Sequence, residues 1–146
     1  AELIRNRSFE DASTPTQWTL VTNGTAKGSF SIDTSLPLGS SNRQCLKLTM
    51  TSGTGSLGAA NNGYYGIPMA SGKTYYLNLY ARTTLGFSGN LAVSLESRGQ
   101  PIDWIPLKNP RFSAEKASYL QEPLRAPFRR ATGQPVRGPG CSCVGC

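Results

Sequence analysis

The segment KTYYLNLYART (residues 73–83) sets the fold class, because its apolar and polar side chains alternate. Successive side chains of a β-strand point to opposite faces, so the alternation predicts a half-buried strand. The predicted inward face carries Tyr75, Leu77, Leu79 and Ala81, and the predicted outward face carries Tyr76, Asn78, Tyr80 and Arg82.

Two further segments alternate in the same way. In QCLKLTMTS (44–52) we expect Leu46, Leu48 and Met50 to face inward, and in NLAVSLES (90–97) Leu91, Val93 and Leu95. Weaker strands are predicted at WTLVT (18–22), GSFSIDTS (28–35) and SLGAA (56–60), and Asn23-Gly24 is predicted to form a hairpin turn. Many short strands without a helical period predict an all-β fold, an antiparallel β-sandwich of jelly-roll type over residues 1–97.

The composition changes near Arg98. Residues 98–146 contain seven of the ten prolines and three of the four cysteines. Frequent proline disrupts both sheet ladders and helices, so this segment is predicted to be an irregular Pro/Arg/Cys-rich tail. Within it, PIDWIPL (101–107) is expected to form one edge strand that closes the sandwich, and FSAEKASYLQEPLR (112–125) one short helix.

The net charge of +7 does not predict a nucleic-acid partner. Residues 1–97 hold seven Lys/Arg and five acids, whereas residues 98–146 hold eight and three, scattered among prolines. A nucleic-acid interface needs clustered basic residues or a known reader motif. The sequence also has no apolar run of transmembrane length, so we expect no membrane partner.

Four segments carry a family likeness: AELIRNRSFE (1–10), CLKLT (45–49), NNGYYGIPMASGKTYYLNLYAR (61–82) and GNLAVSLES (89–97). Together they resemble the amino-terminal region of family 51 glycoside hydrolases, the alpha-L-arabinofuranosidases, with an inserted carbohydrate-binding module of the family 4/9 type. The resemblance covers about two thirds of the chain, to residue 97. It implies a secreted, extracellular parent enzyme whose catalytic domain lies in cis. Because the likeness stops abruptly, we hypothesise that the sequence is frame-shifted from about Arg98.

The same resemblance implies that this chain is not itself an enzyme. The catalytic glutamate pair of the family lies on a (β/α)₈ barrel, and such a barrel needs about 250 residues. A retaining glycosidase needs two carboxyl groups about 5 Å apart, and none of the eight acids here lies in a motif of that active site. The absence of histidine excludes a Ser/His/Asp triad.

Aromatic side chains are the candidate sugar-binding residues, because a tyrosine or tryptophan offers a rigid flat surface with a polar group. The candidates are Trp18, Tyr64, Tyr65, Tyr76, Asn78, Tyr80, Arg82 and Glu96. Trp18 is expected in the core rather than on a binding surface, by about two to one, since large aromatics dominate core energetics. Tyr76 and Tyr80 are equally consistent with covering a second sheet, and the Tyr64–Tyr65 segment with packing against the catalytic barrel.

Metal and cysteine chemistry are the remaining alternatives. By resemblance, Glu10 is the candidate ligand of a structural calcium, with Asp11 beside it, and an ordinary solvated carboxylate is the competing interpretation. No other cofactor is expected. CSCVGC (141–146) together with Cys45 supplies four thiols, but the spacing fits a zinc site poorly. Disulfides are the alternative in an oxidising compartment, and otherwise Cys45 is expected to be a free thiol in its strand.

The sequence therefore predicts a non-catalytic module that binds plant cell-wall hemicellulose, namely xylan, arabinoxylan or β-glucan. Two alternatives stay open: the activity of the parent hydrolase, and a structural insert that binds no glycan. Two N-glycosylation triplets, Asn6-Arg7-Ser8 and Asn23-Gly24-Thr25, belong to none of these functions.

Overall fold

The computed structural model describes residues 2–68, 70, 73–83, 91–97, 100–107 and 118–125, the last two ranges as backbone. Eight strands occupy these ranges, and all their pairings are antiparallel. They are β1 (Trp18–Gly24), β2 (Lys27–Asp33), β3 (Cys45–Ser52), β4 (Gly55–Asn61), β5 (Thr74–Ala81), β6 (Leu91–Ser97), β7 (Gln100–Leu107) and β8 (Ser118–Arg125). The described part of the chain is all-β, as predicted.

The first four strands form one long antiparallel ribbon with a corner in it. β1 pairs with β4, and this pairing ends with Gly24 opposite Gly55. β2 pairs with β3, and this second pairing begins in the same register, with Lys27 opposite Ser52. At the corner itself, the N–H of Thr25 donates to the carbonyl of Thr54 at 2.8 Å. The predicted hairpin at Asn23-Gly24 is wrong, because β1 continues round the corner into β2 instead of pairing with it.

Glycine is required at this corner by both backbone conformation and space. Gly53 has a φ of 86°, and a Cβ atom there would lie 2.0 Å from the carbonyl oxygen of Thr25. Gly55 has a φ of 120°, and its Cβ would lie 2.0 Å from the carbonyl oxygen of Asn23. Only glycine adopts such conformations at little cost, so these two residues allow the ribbon to bend.

The second half of the described chain forms two more strand pairs. β5 pairs with β8, and β6 pairs with β7, while β7 and β8 lie in contact. The strand predicted at PIDWIPL is therefore confirmed as β7. The helix predicted over residues 112–125 is wrong for Ser118–Arg125, which forms β8, and residues 112–117 lie outside the described ranges. Long-range pairing with β5 overrides the local helical preference of this segment.

Two strands thus lie within the segment predicted to be an irregular tail: the expected one at 100–107 and an unexpected one at 118–125. Among the described residues each of these strands pairs with one other strand, and proline is tolerated on strands of this kind when its position lies at an edge. The rest of the predicted tail, including CSCVGC, lies outside the described ranges.

The buried side chains come from both halves of the chain. The buried apolar residues are Phe9, Ala26, Cys45, Leu46, Leu57, Ala81 and Leu91. The alternation predicted for β5 is confirmed along its whole length, and Leu46, Leu48, Leu91 and Val93 are buried or half-buried as expected.

Two expectations for β3 are wrong. Met50 is 42% exposed, because it lies in the second half of β3, residues 49–52, where every side chain is exposed. Cys45 is not a free thiol, since it is disulfide-bonded. The side chain of Leu95 lies outside the described part of the molecule.

Candidate functional site

The N-terminal segment is a compact loop held together by Asn6. This side chain is 9% exposed, and its Nδ2 donates to the carbonyl and the hydroxyl of Thr16 at 3.0 and 3.2 Å. Its Oδ1 accepts from the N–H of Asp11 at 3.3 Å. Asn6 has a φ of 47°, a left-handed conformation that asparagine tolerates better than most residues. The Asn6 side chain therefore holds two separate parts of the loop, at Asp11 and at Thr16.

Trp18 belongs to this loop and not to an open binding surface. Its ring centroid lies 5.2 Å from that of Phe9, which is buried, and its indole N–H donates to the carbonyl of Asn6 at 3.1 Å. The ring is half-buried at the start of β1. Because its ring contacts Phe9 and its indole N–H bonds to Asn6, Trp18 packs the N-terminal loop onto the ribbon.

Asn61, at the end of β4, fastens a second part of the same loop. Its Nδ2 donates to the carbonyls of Arg5 and Gln17 at 2.9 and 3.2 Å. Its Oδ1 accepts from the N–H groups of Arg5 and Gly63 at 3.3 and 2.9 Å. These four bonds use the whole hydrogen-bonding capacity of the amide. They set the position of the turn that follows β4.

That turn, residues 63–66, presents two tyrosines to solvent, and we call it the tyrosine turn. Gly63 and Gly66, at its two ends, bridge each other and have φ values of 64° and 90°. Tyr64 is 58% exposed and Tyr65 is fully exposed. The guanidinium carbon of Arg5 lies 5.5 Å from the centroid of the Tyr64 ring, within the range of a cation–π contact.

An open groove of about 460 Å³ runs beside the tyrosine turn. Its wall is mostly apolar, and its lining residues are Glu2, Leu3, Tyr64, Tyr65, Gly66, Ile67 and Pro68. Glu2 is paired with Arg7 at 3.1 Å on its rim. The structure thus brings together both tyrosines predicted in this motif, and adds Arg5 and the loop residues beside them.

The outward face of β5 is the second aromatic surface, and we call it the β5 face. Tyr76 is 69% exposed and Tyr80 is 38% exposed, with the exposed residue Asn78 between them. Alternate residues of a strand share a face, so the Cα atoms of the two tyrosines lie about 13 Å apart along one side of β5. The two rings thus occupy separate positions along the same face of β5, and the amide side chain of Asn78 lies between these positions.

Arg82, expected on the same face, is engaged elsewhere. It follows β5 directly, and its Nη2 lies 3.4 Å from the Oδ2 of Asp33 at the end of β2. Both side chains are about four-fifths buried. Hydrogen bonds from Ser35 lower the pKa of Asp33 below its ordinary value of 3.8, and the charge of Arg82 adds to this effect. Arg82 therefore links the two halves of the described chain instead of extending the β5 face.

Glu96 lies on β6, which is not a hydrogen-bonded neighbour of β5. Its Oε1 accepts from the hydroxyl of Ser94 at 3.0 Å, and both side chains are exposed. The strand pairing therefore does not place Glu96 beside Tyr76 and Tyr80.

Glu10 is bound to backbone amides. Its Oε1 accepts from the N–H groups of Arg43 and Gln44 at 2.5 and 2.7 Å, which ties the β2–β3 loop to the N-terminal loop. In the amide orientation that its neighbours favour, the side-chain nitrogen of Gln44 donates to the carbonyls of Phe9 and Ala12 at 2.9 Å each. No cluster of three His, Cys, Asp or Glu side chains occurs among the described residues. Calcium at Glu10 stays a prediction.

Sequence reasoning missed the hydrogen-bonding roles of Asn6, Asn61 and Arg5. Only Asn61 carried a signal, because the Asn-Asn-Gly sequence that it begins is typical of a turn in which an asparagine side chain bonds nearby backbone. The signal does not reveal the partner, since Arg5 and Asn61 lie 56 residues apart.

We searched the structure for membrane-spanning helices and compared the chain with known proteins. Across the described ranges there is no helix with the length and apolar character needed to cross a membrane. The resemblance to family 51 glycoside hydrolases stays a prediction, because the chain matches no protein-family model, no curated protein and no solved structure in our comparisons.

Proposed function

We propose that this chain is a non-catalytic carbohydrate-binding module that holds a hemicellulose chain on the β5 face. The observation that carries the proposal is the pair of exposed rings Tyr76 and Tyr80 on one side of β5, with Asn78 between them. An exposed phenol ring can cover the apolar face of a sugar while its hydroxyl bonds to a sugar hydroxyl. Two such rings on one strand suit an extended chain better than a single sugar.

The fold proposed for this function is a jelly roll, of the kind found in family 4/9 carbohydrate-binding modules. Support comes from the all-β architecture, the antiparallel pairing and the strict in–out alternation of β5. The cornered ribbon is also consistent with strands that pass from one sheet of a sandwich to the other. The proposed ligands are xylan, arabinoxylan and β-glucan, and the proposed context is an extracellular alpha-L-arabinofuranosidase with its catalytic domain in cis.

The described acids support a non-catalytic module. Asp33, whose side chain is about four-fifths buried, has a lowered pKa because Ser35 and Arg82 stabilise its charged form. A glycosidase acid needs a raised pKa, so that it is still protonated when the leaving group departs. Glu10 is held by backbone amides and Glu2 by Arg7. Each of these carboxylates has a structural partner.

Affinity electrophoresis through soluble xylan, arabinoxylan and β-glucan tests the proposal. We expect the full chain to be retarded, and Tyr76→Ala and Tyr80→Ala each to weaken binding about tenfold, which corresponds to about 1.4 kcal/mol. Tyr65→Ala is the control, because it removes an exposed tyrosine that lies on the tyrosine turn and not on the β5 face. Loss of retardation only in Tyr65→Ala would move the site to that turn.

Two other outcomes would favour the remaining functions. Equal migration of every variant on every polysaccharide would support a structural insert that binds no glycan. Turnover of an aryl arabinofuranoside above the buffer blank would support the enzyme alternative and overturn the non-catalytic proposal.

A further inference from the structure

The chain contains two Asn-x-Ser/Thr triplets, and the structure places them in very different surroundings. Such a triplet is the acceptor signal for N-glycosylation, which attaches an oligosaccharide to the side-chain nitrogen of the asparagine. The first triplet is Asn6-Arg7-Ser8 and the second is Asn23-Gly24-Thr25. A glycan is tolerated in the folded protein only where that nitrogen and the space around it are free.

Asn6 does not meet this requirement. Its Nδ2, the atom that would carry the sugar, donates to the carbonyl and the hydroxyl of Thr16 at 3.0 and 3.2 Å. The side chain is only 9% exposed. A glycan on this atom would remove a hydrogen used in one of these bonds and would force the N-terminal loop away from the ribbon.

Asn23 meets the requirement. It is exposed at the end of β1, and its side chain has no hydrogen-bond partner among the residues that the structure describes. Its backbone is held opposite Ser56 of β4, so the strand supports the position while the side chain extends into solvent. Thr25, the third residue of the triplet, is exposed at the corner of the ribbon.

We propose that Asn23, and not Asn6, is an N-glycan acceptor when this chain passes through a eukaryotic secretory compartment. The co-reactant is an oligosaccharide linked through pyrophosphate to a membrane lipid. The Nδ2 of Asn23 forms a bond to the anomeric carbon of the first sugar, the bond from that carbon to the pyrophosphate oxygen breaks, and the lipid pyrophosphate leaves. The nitrogen loses one proton to a base, and no electron transfer is involved.

A glycan at Asn23 would also cover an apolar surface. Val21 lies two residues earlier on β1, so it shares the face of Asn23, and it is 41% exposed. The attached sugar would therefore shield the most exposed apolar side chain of this strand. The modification is independent of the β5 face and does not rest on the proposed function.

The test is secretion of the full chain from a eukaryotic host behind a cleavable leader, together with two variants. Asn23→Gln removes the acceptor, and Ser8→Ala destroys the first triplet while leaving the hydrogen bonds of Asn6 in place. Peptide mapping after release of the glycan by an N-glycosidase in heavy-oxygen water marks each modified asparagine as heavy-labelled aspartate. Asn62-Gly63 is an internal control for spontaneous deamidation, because it is an Asn-Gly pair outside any triplet.

We expect a heavy label at Asn23 in the full chain and in Ser8→Ala, with the enzyme-sensitive shift in gel mobility lost in Asn23→Gln. Where secretion is poor, translation of the full chain into microsomes gives the same measurement. An unmodified Asn23 in the glycosidase-treated sample, or a glycan on Asn6 in the secreted protein, would overturn the proposal.

Discussion

The side chain of Asn61 pairs with the backbone of Arg5 through both of its polar atoms: Nδ2 donates to the Arg5 carbonyl at 2.9 Å, and Oδ1 accepts from the Arg5 N–H at 3.3 Å. One amide side chain thus bonds both backbone polar groups of residue 5. Because Asn61 also holds Gly63, one residue positions the N-terminal loop and the tyrosine turn together.

Asn61→Ala is expected to destabilise the fold. The substitution leaves the N–H and carbonyl of Arg5 without their partner, and unsatisfied part-buried polar groups cost about 1–3 kcal/mol. Chemical denaturation followed by tryptophan fluorescence measures the loss, because Trp18 lies in the same loop. Asn62→Ala is the matched control, since Asn62 is the exposed neighbour of Asn61. Equal effects of the two substitutions would contradict the role assigned to Asn61.

Gly53→Ala is expected to destabilise the corner of the ribbon. The new Cβ would lie 2.0 Å from the carbonyl oxygen of Thr25, and the φ of 86° adds backbone strain of about 1–3 kcal/mol. Gly39→Ala is the control, because nothing lies within 4 Å of a Cβ there. We expect the thermal midpoint to fall for Gly53→Ala and to stay nearly constant for Gly39→Ala. A Gly53→Ala protein as stable as the parent would disprove the strain at the corner.

Acid is expected to weaken the link between β2 and the end of β5. The folded-state pKa of Asp33 is lowered, chiefly by hydrogen bonds from Ser35 and further by Arg82. A lowered pKa stabilises the fold above the unfolded value of about 3.8, and this stability is lost as the pH falls through the folded-state pKa. Asp33→Asn should therefore flatten the dependence of unfolding free energy on pH below 3.8.

The control for this experiment is Asp11→Asn, which removes one negative charge from an exposed position. Urea denaturation of the parent and the two variants, at neutral pH and in the acid range, gives the pH dependence of the unfolding free energy for each of the three proteins. If Asp33→Asn kept the full acid dependence of the parent, the Asp33–Arg82 pair would have no part in it.

Phe9→Ala is expected to cost about 3–5 kcal/mol, because this side chain is 1% exposed and its removal leaves a cavity beside Trp18. The same change should alter the fluorescence of Trp18, whose ring lies 5.2 Å away. Val21→Ala, an exposed apolar truncation, serves as the comparison. A loss in Phe9→Ala no larger than in Val21→Ala would mean that Phe9 does not anchor the loop.

Local patterns anticipated the strands well and their partners poorly. The alternation of β5 was readable because a period of two follows from the backbone of a single strand. The hairpin at Asn23-Gly24 was wrong because the local turn signal says nothing about β4, which pairs with β1 from more than thirty residues away. The helix expected at Ser118–Arg125 failed for the same reason, since β5 supplies the partner that makes it a strand.

The candidate surfaces also combine features that follow from local sequence with contacts that depend on the tertiary structure. The shared face of Tyr76 and Tyr80 follows from strand geometry, so the pattern of residues 73–83 was sufficient to predict it. Their exposure did not follow, because the same pattern is equally consistent with two rings that cover a second sheet. The contact partners of Arg82, Trp18 and Glu10 did not follow from any pattern, although a structural role for Trp18 was expected. Strand periodicity is a property of neighbouring residues, whereas an ion pair or a ring contact depends on which distant segment folding brings within a few ångströms.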